Sequence, residues 1–152
     1  ENKVLVLDTT AFIMGFNPSS VTMQTFSVPA VLEELSTRSL AILRSDASRE
    51  AGKLTVRTPT KTSLETVRNA SLELGEKLAL SETDFQVLAL TIDLKSEGMM
   101  PTIVSDDYAV QNVAEHLALG YASLATFGIS KRFGWVLTVL RATESTLKIA
   151  QG

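Results

Sequence analysis

Carboxylates at the ends of apolar runs are the residues of this 152-residue sequence best suited to chemistry. Val4-Leu5-Val6-Leu7 ends in Asp8, and Thr102-Ile103-Val104-Ser105 ends in Asp106-Asp107. Asp84 stands three residues after Ser81, and Glu33-Glu34 lies between Val31-Leu32 and Leu35. Acids gathered without bases repel by about 1 kcal/mol per pair at 4 Å in water, and by several times that near a protein surface. A cation removes the conflict. Oxygen ligands without Cys or a His cluster favour Mg²⁺ or Mn²⁺ over Zn²⁺. Each acid also has a structural role open to it. Asp8 can cap a turn starting at Thr9, Asp84 can close a capping box with Ser81, and Asp106 and Asp107 can open a helix at Tyr108. Glu33 suits solvent, whereas Glu34, beside Leu35, suits solvent and interior alike.

Other chemistries lack their residues. There is no G-x-x-x-x-G-K-[ST] loop, no G-x-G-x-x-G after the first apolar run and no G-x-S-x-G elbow. His116 is the sole histidine, expected on a helix without a partner, which excludes a histidine triad or zinc site. The absence of cysteine removes disulfides and thiolate sites and fits a reducing compartment, so a cytoplasmic setting is expected. No apolar run approaches the ~20 residues of a membrane helix, so no membrane partner is expected. The run after Lys3 is also too short for a signal peptide. The net charge of −3 is unevenly spread: Arg38, Arg44, Arg49, Lys53, Arg57 and Lys61 face only Asp46 and Glu50, a local +4. After Gly120, Lys131, Arg132, Arg141 and Lys148 face Glu144 alone. Scattered surface charge and a phosphate-holding surface set apart from an acidic site both fit this pattern.

Positioning these acids requires strands that end where helices begin. Lys3 to Leu7, Phe26 to Val28, Leu54 to Thr58, Thr102 to Val104 and Ala122 to Leu124 read as strands. Between them, helices are expected from Thr9 to Met14, from Pro29 through Leu35 and on to Leu43, and from Thr62 or Ser63 to Gly75. Two more run from Ser81 to Gly98 and from Tyr108 to Leu119, the last stopped by Gly120. Alternation of this kind specifies right-handed crossovers. The fold class is α/β, a three-layer α/β/α sandwich with a central, mainly parallel sheet. Residues 1–126 form one domain. Residues 127–152 form an appendage in which Phe133 and Trp135 suit either a hydrophobic anchor or base stacking.

These residues, in order, resemble the PIN-domain ribonucleases: Asp8 after the first strand, the acid in Val28-Pro29-Ala30-Val31-Leu32-Glu33-Glu34-Leu35, Asp84 at a helix start and acids after a later strand. Two stretches, Leu80 to Thr91 (LSETDFQVLALT) and Val104 to Val113 (VSDDYAVQNV), resemble the Nin-one-binding protein family, endonucleases of small-subunit ribosomal RNA maturation. The similarity spans residues 3–124. It implies a metal-dependent endoribonuclease acting on pre-rRNA at the 3′ end of small-subunit rRNA, using one or two Mg²⁺ or Mn²⁺ ions. Catalysis and metal binding would fall to Asp8, Glu34, Asp84 and Asp107, with Asp106 a further or alternative ligand. Arg38, Arg44, Arg49, Lys53, Arg57 and Lys61 would hold RNA backbone. Family members usually carry a C-terminal zinc ribbon with Cys-x-x-Cys pairs. Here Val139 and Ala142 have the spacing without the chemistry, so no zinc is expected in this chain. A VapC-type toxin ribonuclease and an inactive PIN fold that only binds RNA or assembly factors are the alternatives. A phosphoacceptor receiver domain is disfavoured, because its paired acids belong beside the first strand.

Overall fold

Val4 to Leu7, Ile103 and Val104 are almost wholly removed from solvent, a pattern that a parallel sheet covered on both faces demands of its central strands. The computed structural model describes residues 2–36, 39–75 and 80–129, with the side chains of 39–41 and 43 excepted. Its strands are β1 (Lys3–Leu7), β2 (Gln24–Ser27), β3 (Leu54–Val56), β4 (Met100–Val104) and β5 (Gly120–Ala122). They form one parallel sheet in the order β3-β2-β1-β4-β5. Leu7 is in register with Val104, and Val104 with Ala122, so the chain leaves β1 and β4 at the same edge.

The helices are α1 (Thr9–Ile13), α2 (Pro29–Leu35), α3 (Ser39–Glu50), α4 (Lys61–Leu74), α5 (Glu82–Ser96) and α6 (Tyr108–His116). From β1 the chain steps outward to β2 and β3, then recrosses to β4 and β5. Right-handed crossovers therefore place α1 to α3 on one face and α4 to α6 on the other. The contacts agree: α1, α2 and α3 pack on one another, and so do α4, α5 and α6. This is the expected three-layer sandwich. The topological switch point lies between β1 and β4, where such sheets open a crevice beyond their carboxyl ends. Among the described residues no helix is long and apolar enough to cross a membrane.

Several boundaries differ from the sequence reading for visible reasons. The helix from Pro29 stops at Leu35 instead of continuing to Leu43. The Ser36 hydroxyl and backbone N–H both donate to the Glu33 carbonyl, at 2.6 and 3.2 Å, which competes with helical propagation. Helix α4 is capped by Thr60, not Thr62 or Ser63, because Asp93 of α5 accepts from Thr60 N–H and Oγ1. Gly120 begins β5 rather than stopping α6; a Cβ there would lie 3.2 Å from the Pro101 carbonyl, and Ala118 takes the left-handed turn instead (φ 56°). Leu124 leaves the sheet for a 3-10 turn, Leu124–Phe127. His116 is not alone: its Nε2 lies 2.9 Å from Glu73 Oε2, joining α6 to α4.

Candidate active site

Three helix N-termini meet the carboxyl edge of the sheet, and each brings an aspartate. Asp8, directly after β1, caps α1 by accepting from Ala11 N–H at 2.8 Å. Asp107, three residues after β4, caps α6 by accepting from Ala109 N–H at 2.8 Å. Asp84, in the first turn of α5, accepts from Ser81 N–H at 3.0 Å while Ser81 Oγ accepts from Asp84 N–H at 3.1 Å, the capping box that the spacing predicts. The structural roles and the clustering of charge therefore coexist. Capping leaves each carboxylate with unused lone pairs, and the N-terminal ends of the helix dipoles soften the repulsion that gathers there.

Burial decides the electrostatics. Asp8 is only 4% exposed, and its pKa is pushed up to about 6. Loss of solvation is the chief cause, with the charges of Asp84 and Asp107 adding to it; hydrogen bonds from Ser105 and Ala11 oppose it. Asp84 is also raised, first by burial and then by Asp107 and Glu34, against the bonds it makes with Ser81. Among the described residues, no basic side chain contributes to either shift. Glu34 comes from α2, where Val31 and Leu35 face inward, and its Oε1 accepts from the buried Thr83 hydroxyl of α5. A hydrogen bond to a charged group contributes about 1.5–3 kcal/mol net. Repulsion between exposed carboxylates is about 1 kcal/mol at 4 Å in water. The bond offsets part of the repulsion that Glu34 meets from Asp84.

Asp8, Glu34, Asp84 and Asp107 are brought together in this way; Asp106 is turned elsewhere. Its Oδ1 accepts from Leu124 N–H at 2.9 Å, tying β4 to the turn after β5. Three neighbours escaped the sequence reading as members of the site. Ser105 is fully buried, donates to Asp8 and accepts from Asp107 N–H at 3.1 Å, linking the two strand ends. Its place in Ser105-x-Asp107 was the available signal. Thr83 and Tyr108 adjoin acids in sequence, but only the fold shows the first reaching Glu34 and the second 74% exposed beside Asp107.

The basic residues are dispersed. Lys53 precedes β3 and donates to the Val21 carbonyl at 3.4 Å, at the edge of the sheet opposite the acids. Arg57 makes a two-pronged pair with Glu97 at 2.7 and 3.0 Å. The Arg44 guanidinium lies against Gly15 beyond α1, while Arg49 and Lys61 are exposed at the end of α3 and the start of α4. Arg38, the basic tail, Phe133, Trp135, Val139 and Ala142 lie outside the described residues. Phe127, at the expected domain limit, packs edge-on against Phe16 with ring centroids 5.3 Å apart.

The donor set is carboxylate oxygen, suited to a hard divalent cation, and Thr9 beside Asp8 keeps a buried hydroxyl without a partner. Among the described residues, however, no three His, Asp or Glu side chains are already drawn together closely enough to hold a metal ion. The chemistry fits the ion, while ligation asks the side chains to turn toward one another.

Comparison with known proteins completes the picture. A family profile described as the PIN domain of ribonuclease matches residues 5–94. The chain is 40% identical over 131 residues to an Endoribonuclease Nob1 of Pyrococcus abyssi and 37% identical over 131 residues to one of Methanothermobacter thermautotrophicus. In both cases the match covers 86% of this chain and 74% of the relative. It is also 34% identical over 122 residues to Ribonuclease VapC3 of Aeropyrum pernix, covering 80% of this chain and 86% of that protein.

Proposed function

The chain belongs to the PIN-domain ribonuclease family, and on that premise we propose that it is a divalent-metal-dependent endoribonuclease of small-subunit rRNA maturation. The observation that carries the reading is the acid cluster itself: Asp8, Asp84 and Asp107 sit at three helix starts at one edge of the sheet, and burial together with the neighbouring acids pushes Asp8 and Asp84 upward. The similarity to the Nob1 endoribonucleases of Pyrococcus abyssi and Methanothermobacter thermautotrophicus supports the ribosomal RNA substrate, at higher identity and over more residues than the similarity to VapC3. That VapC3 match favours the second reading, a toxin-type ribonuclease with the same chemistry and a different RNA.

Asp8, Glu34, Asp84 and Asp107 would hold one or two Mg²⁺ or Mn²⁺ ions. Bound there, the ion would supply Lewis acidity toward water and positive charge toward the phosphate, chemistry suited to hydrolysis that leaves a 5′-phosphate and a 3′-hydroxyl. The chain's own contribution is preorganisation. Ser105 fixes Asp8 relative to Asp107, the capping box fixes Asp84, and Thr83 fixes Glu34. Burial of Asp8 excludes water from one side of the site, which strengthens every charge interaction inside it. Asp106 holds the β5 turn in place beside the cluster. Arg49 and Lys61 are exposed and would add only diffuse attraction for RNA backbone, so the spread of basic residues calls for a shallow dependence of affinity on salt.

The test is cleavage of a single-stranded RNA spanning the 3′ end of small-subunit rRNA in Mn²⁺. Wild type cuts it, and EDTA or Asp8→Asn stops the reaction. Equal cutting by the variant overturns the assignment, and cutting of unrelated RNAs with equal efficiency favours the toxin-type reading.

A further inference from the structure

Thr83 carries no charge and cannot serve as an acid or base, yet it reaches across 49 residues of sequence to touch a candidate ligand. It is the second residue of α5, 8% exposed, next to Asp84. A threonine at a helix start often bonds its own backbone, but this hydroxyl donates to Glu34 Oε1 on α2. Glu34 has a long side chain on an exposed part of a short helix, and its charge adds to the repulsion that raises Asp84, so a donor on α5 bears directly on where its carboxylate sits.

We infer that Thr83 is a positioning residue that holds Glu34 inside the acid cluster before a divalent ion arrives. The inference rests on reading the cluster as a metal site. Ion binding then needs less reordering of Glu34, so the hydroxyl acts on metal affinity through a residue it touches rather than on the reacting atoms.

The experiment is calorimetric titration of Mn²⁺ into the whole chain, comparing wild type with Thr83→Val, Thr83→Ser, Glu34→Gln and the Thr83→Val/Glu34→Gln double variant. Valine keeps the branched shape and the burial while removing the donor. Thr83→Val is expected to weaken Mn²⁺ binding about tenfold, Thr83→Ser to restore it, and Thr83→Val to add no loss in the Glu34→Gln background. Circular dichroism of the metal-free variants checks that each is folded. Wild-type affinity in Thr83→Val, or an equal loss with and without Glu34, overturns the inference while leaving the metal site standing. Absence of Mn²⁺ binding by wild type overturns both.

Discussion

Asp8 and Asp93 are two aspartates of similar exposure, 4% and 6%, with opposite surroundings. Asp93, on α5, is pushed up by burial, but bonds from Ser63 and Thr60 and the nearby Arg57 outweigh that and hold its pKa below the usual value. Its oxygens accept from Ser63 Oγ at 2.5 Å and from Thr60 Oγ1 and N–H at 2.8 Å each. Asp8 has hydrogen bonds too, yet burial and two facing acids win, and its pKa rises. A satisfied buried carboxylate fastens α4 to α5. An unrelieved one stores electrostatic cost that a bound cation would release, and on the proposed reading this separates a structural acid from a functional one.

The sharpest break in this comparison is catalytic. Asp8→Asn is expected to reduce cleavage at least about 10²-fold, because metal assistance contributes several kcal/mol to the transition state. Asp93→Ala should leave cleavage per folded molecule unchanged in a gel assay with Mn²⁺. Loss of cleavage in a folded Asp93→Ala protein would erase the distinction. The next effect is on stability. Asp93→Ala strands several buried donors and is expected to cost about 2–4 kcal/mol in urea unfolding. In EDTA at pH 7, Asp8→Asn should gain up to about 2–3 kcal/mol, the cost of ionising Asp8 in the folded state, since asparagine still caps α1. A destabilised, metal-free Asp8→Asn protein would show that capping outweighs the charge conflict.

The two acids also predict opposite slopes with pH. Asp8 binds its proton more tightly folded than unfolded, so its contribution is complete below about 3.8 and is lost as pH rises through about 6. Metal-free melts should therefore show wild type losing ground to Asp8→Asn between pH 4 and 6. Asp93 binds its proton less tightly folded, so its stabilisation is present above the ordinary aspartate pKa and is lost on acidification. The smallest effect belongs to the dispersed basic residues. Reversing Arg49 or Lys61 alone should weaken RNA binding only about two- to fivefold and reduce the salt slope by about one unit or less, read by fluorescence anisotropy.

Much of the fold was legible because its signals are local. Apolar runs ending in acids marked β1 and β4, and Ser81 with Asp84 marked the start of α5, since a capping box closes within four residues. The same locality misled elsewhere. Nothing near Ser36 announces that its hydroxyl will end α2, and Thr62 and Ser63 cap as well as Thr60 until Asp93 is in place. The run from Arg38 to Lys61 reads as one basic surface in sequence, but β3 carries Lys53 and Arg57 to different partners.

The sequence by itself determined the residue chemistry: oxygen ligands without thiols, helices that begin where strands end, and the order of acids shared with PIN-domain ribonucleases. Tertiary structure alone decided which acids meet. It turned Asp107 toward Asp8 and Asp106 toward Leu124, joined Ser105 to Asp8 and Thr83 to Glu34, and paired His116 with Glu73. The physical reason is range. Backbone hydrogen bonding and capping act over a few neighbouring residues, whereas the field at a carboxylate depends on every charge and every shielding side chain that the crossovers carry to the same edge of the sheet.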